Sequence, residues 1–207
     1  MKKYLVILAA MPLLAADCNK ETEPAPPAVS FLPVTTNSTW TYDTKNNITS
    51  ATGSYTIKVT GKDSVIGTKT FKVFSNTGGG NEYYTQIGRE YFQYAVFAAT
   101  NQKVELLYLK DNLNAGVSWD QTISISVVGL PTTLTGVLTN KIEEKGISYT
   151  VGGKTYSNVI KVKTTIGAIT IPGLPAAITP VTDIYSYYAA GVGRIYTRTK
   201  LNITIPS

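Results

Sequence analysis

The residues of this chain that could do chemistry are few. Cys18 is the only cysteine, and there is no histidine at all. Without imidazole, the Ser-His and Cys-His nucleophile pairs, the usual zinc ligand sets and the commonest general base are excluded. Carboxylates remain, and glycoside hydrolysis needs only two of them. Glu82 with Glu90, or Glu143 with Glu144, could be drawn as pairs, but both read equally well as exposed charges at strand ends. Gly153-Lys154-Thr155 imitates the end of a phosphate loop. Ser148 stands where the first glycine belongs, however, and the segment runs into a strand pattern rather than a helix. Asp111 to Gly116 has the outline of a calcium loop, but Leu113 and Ala115 occupy ligand positions and Thr122 stands where a glutamate should close it. No cofactor and no metal are therefore expected. The chain reads as a non-enzyme, with a carbohydrate-acting enzyme kept as an alternative.

Recognition has better material than catalysis. The chain holds fourteen tyrosines, whose rings stack on sugars, line interfaces or pack across strands. Two apolar loops, Val128-Gly129-Leu130-Pro131 and Pro172-Gly173-Leu174-Pro175, share one pattern. Apolar loops of this kind form a binding surface when exposed and plug a core when turned inward. Leu130, Pro131, Leu174, Pro175, Tyr187 and Tyr188 are the candidate binding surface, and a protein or glycan is the partner it would take. Only three arginines are present, and base or phosphate readout leans on arginine, so nucleic acid is not expected as a partner.

The start of the chain has the layout of an export signal. Lys2 and Lys3 precede an apolar run through Ala16 that is interrupted by Pro12 and too short to span a bilayer. A lone thiol in an oxidising compartment has no internal partner, and acylation would give Cys18 a use. Leu14-Ala15-Ala16-Asp17-Cys18 resembles the lipobox of bacterial lipoproteins, with Asp17 at a place where that motif has a small residue and Leu14 one position early. Asn19-Lys20-Glu21-Thr22-Glu23 resembles the acidic export tag of surface lipoproteins in the Bacteroidota. These resemblances imply lipid attachment at Cys18, the membrane as a partner through that lipid, and an outer-membrane, surface-exposed location. Removing residues 1–17 leaves 17 basic and 12 acidic side chains, scattered rather than in blocks.

The elements that must position any site are strands. Residues 18–34 form the lipidated N-terminus and a linker rich in proline and acid, expected to be extended and mobile. From residue 35 the composition turns to Thr, Val, Ile, Tyr and Gly. Tyr55, Ile57 and Val59 alternate with Thr56, Lys58 and Thr60, the period of a half-buried strand. Lys58, Lys62, Lys69 and Lys72 read as a solvated face. Gly61-Lys62-Asp63, Gly78-Gly79-Gly80, Asp111-Asn112 and Gly152-Gly153 are expected at hairpins or loops.

Five matches recur in the same order in both halves. Trp40 matches Trp119, Thr52-Gly53 matches Thr135-Gly136, and Lys69-Thr70-Phe71 matches Lys154-Thr155-Tyr156. Tyr83-Tyr84 matches Tyr187-Tyr188, and Gly88-Arg89-Glu90-Tyr91 matches Gly193-Arg194-Ile195-Tyr196. The register jumps once, which places an insertion at 166–182. The expected fold is all-β and antiparallel: one domain over 35–207, built from two similar half-repeats of about 85 residues (35–115 and 116–207) that form a sandwich or barrel. The expected role is a lipid-anchored envelope protein with binding or assembly work. The alternative of a carrier predicts an apolar cavity under the insertion.

Overall fold

A computed structural model describes residues 29–97, 102–126, 133–169 and 178–202. Every regular element is a strand: β1 (Thr39–Lys45), β2 (Thr52–Ile66), β3 (Lys69–Asn76), β4 (Glu82–Ile87), β5 (Glu90–Phe97), β6 (Gln102–Lys110), β7 (Ser118–Ser126), β8 (Thr133–Val151), β9 (Lys154–Ile166), β10 (Val181–Ala189) and β11 (Gly193–Asn202). Among the described residues no helix is long and apolar enough to cross a membrane. The strands form two antiparallel meanders, β1 to β6 in one sheet and β7 to β11 in the other. The sheets curl over a shared core as a half-barrel sandwich. The expected division near residue 115 falls in the loop where one sheet ends and the other begins.

Turn residues set the hairpins. Gly152 and Gly153, with φ of 58° and 74°, form the two-residue connection between β8 and β9, a backbone in which a side chain would be strained. Gly61-Lys62-Asp63 behaves otherwise. It makes no hairpin but lies inside β2, where Thr60 to Lys62 oppose Val73 alone before pairing resumes at Asp63 with Lys72. Gly61 takes its positive φ of 76° in this bulge, and Thr60 Oγ1 donates to the Val73 carbonyl at 2.7 Å, so the strand bends and continues. The lysines are only in part a solvated face: Lys58 and Lys62 are exposed, while half-buried Lys69 and Lys72 pair with Glu105 and Asp63.

Ile57, Val59, Phe74, Tyr84, Tyr91 and Leu109 face the interior from the first sheet, against Trp119, Ile142, Ile160, Val162 and Tyr188 from the second. Each such side chain contributes about 1.5–3 kcal/mol by leaving water. Phe31 and Leu32 wedge into the same core, 5% and 9% exposed. The linker expected through residue 34 therefore ends sooner: two adjacent apolar side chains gain more from burial here than the prolines around them gain from staying extended in water.

Most of the matched residues fall on strands of equal rank in the two sheets, Trp40 on β1 with Trp119 on β7 for example, while Gly88 and Arg89 lie in the turn before β5; this ordering does not establish two half-repeats. The correspondence has limits, since β6 has no counterpart among the described residues. Tyr91 is fully buried, whereas Tyr196 meets Tyr149 at a tilt and Tyr187 edge-on outside the core. The segment expected as an insertion joins β9 to β10, and an isolated bridge between Ile169 and Ile178 closes its base.

Candidate functional site: an arginine among tyrosines

The two sheets meet along two lines. At β6 and β7 they meet without a main-chain ladder, and side chains take its place. The Gln121 amide accepts from the Leu107 N–H at 2.8 Å and donates to the Glu105 carbonyl at 2.6 Å. The Trp119 indole N–H donates to the Leu107 carbonyl at 3.0 Å, and the Gln102 amide to the Ser124 carbonyl at 3.0 Å. At β1 and β11 the contact is thinner: the Tyr42 hydroxyl donates to the main-chain carbonyl of Arg194 at 2.7 Å.

Beside that second contact runs the segment from Val29 to Pro33. The Gly191 N–H donates to the Ser30 carbonyl at 2.8 Å, the Phe31 N–H donates to the Tyr91 hydroxyl at 3.3 Å, and the Phe31 ring meets Tyr91 edge-on at 6.3 Å. Gly193, at φ 94°, lets β11 start against this segment, because a Cβ there would stand 3.3 Å from Pro33 Cδ.

Between the segment and the sheets lies a cavity of about 50 Å³, lined by Leu32, Pro33, Trp40, Tyr42, Tyr84, Tyr108, Tyr188 and Arg194 among others. Its aromatic walls are continuous: Trp40 leans on Phe74, Phe74 meets Tyr84, Tyr84 meets Tyr108, and Tyr108 stacks on Tyr188 at 5.3 Å. No carboxylate lines it. The polar side chains in the lining are the tyrosines, the Trp40 indole, Gln93 and Arg194.

Arg194 is the charge in this space. Its guanidinium lies over the Tyr42 ring at 5.8 Å. Burial works against that charge, but attraction to Tyr84, Tyr42 and Tyr188 once alkali has ionised them outweighs it and holds the group above the ordinary arginine range. Burial also pushes the Tyr42 hydroxyl up to about 12 although Arg194 pulls it down, and it holds Tyr84 and Tyr108 well above, and Tyr188 above, the usual phenol value. At neutral pH the guanidinium thus faces neutral phenols. The carboxylate acting on this cluster, Glu82, is taken up by the Asn76 amide and the Tyr84 hydroxyl.

The other two arginines are paired. Arg198 forks onto both oxygens of Asp183 at 3.0 and 2.8 Å. Arg89 Nε stands 2.5 Å from Oδ1 of Asp111, which is 1% exposed and accepts the Tyr91 hydroxyl on Oδ2 at 2.6 Å. Lys145 donates to the main-chain carbonyls of Asp111 and Leu113. The loop that has the outline of a calcium site thus turns its first carboxylate inward onto an arginine and a tyrosine.

Of the residues singled out from sequence, Cys18, Leu130, Pro131, Leu174 and Pro175 lie outside the described residues. Tyr187 and Tyr188 are described, and strand geometry sends them to opposite faces. Tyr188 is buried in the cavity wall, while Tyr187 stacks on Tyr149 at 4.0 Å outside, with Lys161 near its ring. The two therefore do not share one surface. The cavity lies at the opposite end of β10 from the start of that strand, where the insertion at 166–182 ends, and none of the described residues of that insertion lines it. Its volume is well below the several hundred Å³ typical of a pocket that encloses a whole ligand. Sequence reasoning matched Arg194 to Arg89 without marking it as a site. The signal it could have used was an arginine beside a glycine in a chain with only three arginines. No family model, no curated protein and no solved structure matches this chain.

Proposed function

We propose that this chain is a lipid-anchored protein of the bacterial cell envelope, held by an acyl group on Cys18, whose β domain binds a partner rather than catalysing a reaction. The observation that carries the binding half of this reading is Arg194: a guanidinium set among neutral phenols, beside a cavity, with no carboxylate of the described residues within ion-pair distance. A half-buried charge left without a carboxylate costs stability, and a ligand that completes it would repay that cost. The anchor half rests on the lipobox-like residues before Cys18.

Native mass spectrometry of the protein extracted gently from its own membranes tests both halves in one spectrum. The expected result is an acylated mass with a second, dissociable adduct. An unmodified mass beginning near Asp17 would remove the anchor, and an acylated chain without any adduct would count against a tightly held small ligand.

A further inference from the structure

We infer that the Arg194 cavity is a receptor for a carboxylate head group. This inference rests on the binding reading above and names the ligand class of the same site. Three features select that chemistry. The first is charge: Arg89 and Arg198 each have a carboxylate of this chain, and Arg194 has none among the described residues. The second is shape: the guanidinium presents a planar fork of donors that matches the two oxygens of a carboxylate. The neighbouring phenols remain protonated well past neutrality, so they add no competing negative charge. The third is size. A cavity of about 50 Å³ holds roughly three or four water-sized positions, which is room for an acetate-sized head and no more. Leu32, Pro33, Ile57 and Phe74 in the lining offer an apolar margin to a chain behind that head.

Titration calorimetry of the full chain with acetate, octanoate and octanol tests this. Octanoate should bind and octanol should not. Acetate binding as well as octanoate would identify a free small acid as the natural source, whereas an affinity that rises with chain length would identify an acyl chain from the membrane. Arg194→Gln should weaken octanoate binding by about tenfold or more, the usual worth of a charged hydrogen bond. Arg198→Gln, on the outer face, should leave it unchanged. Octanol binding as tightly as octanoate would overturn the carboxylate assignment while leaving a binding pocket in place. No heat from any of the three probes would remove the pocket as a binding site altogether. Should the Arg194 variant fail to melt cooperatively, the contrast between octanoate and octanol on the unaltered chain still decides.

Discussion

The two lines along which the sheets meet solve one problem in opposite ways. At β6 and β7, Gln121 supplies a donor and an acceptor to the neighbouring strand at once, and Trp119 and Gln102 add one bond each. At β1 and β11 one tyrosine hydroxyl reaches across, the gap is filled by Phe31 and Leu32 from outside the sheets, and a charge is left among phenols. The first line carries the hydrogen bonds, and the second keeps the room and the charge that the proposed binding would use. Proteins give up local stability at sites where they bind, and here the contrast exists within one small domain.

Breaking the closed seam should have the largest effect. Trp119→Ala removes a buried indole and its hydrogen bond and should cost about 4 kcal/mol, seen as a lower urea midpoint. Phe31→Ala on the open side should cost about 3 kcal/mol or less, because the segment can detach while both sheets stay folded. Hydrogen exchange at the Gly191 amide, which bonds to Ser30, should rise sharply in that variant, with amides of β8 and β9 little changed. If β8 and β9 exchange just as fast, the segment belongs to the global fold and the contrast between the seams fails.

Alkali should strain the open side as well. The Tyr42 pKa rises from 10 unfolded to about 12 folded, so its contribution is complete below about pH 10 and is lost as pH climbs through 12. The loss amounts to at most about 3 kcal/mol from this residue. Phenolate absorbance should show a late-titrating set of tyrosines in the folded chain that joins the ordinary set in denaturant. Smallest of all, Arg194→Met should change stability by less than about 1 kcal/mol or raise it, because a half-buried charge with no carboxylate partner among the described residues is exchanged for an apolar side chain of similar length. A thermal melt checks this, and a large fall would show that Arg194 is structural.

Much of this architecture was legible in the sequence. Alternation such as Tyr55-Ile57-Val59 reports strands directly, and Gly152-Gly153 reports its hairpin, because both are set by neighbours in the chain. Gly61-Lys62-Asp63 misled, since a bulge and a turn ask for the same residues and differ only in whether the next strand reverses. Phe31 and Leu32 were hidden by their prolines: their burial depends on Tyr91 and Gly191, far along the chain. Tyr187 and Tyr188 looked like one patch, although a period of two separates neighbours by a whole sheet. The surroundings of Arg194 come from positions 42, 55, 84 and 188, and no local pattern could have gathered them.

Gln121 has one further consequence. A sheet edge with free N–H and C=O groups is a template on which another chain can add a strand. By occupying the main chain of Leu107 and Glu105, this side chain withdraws part of the β6 edge from such pairing and holds β7 alongside it. The outer edges left are β1 and β11. On β11, Lys200 stands exposed, and a charge on an edge strand opposes the addition of another strand. The same glutamine that fastens the two sheets thus also removes part of an edge on which another chain could pair.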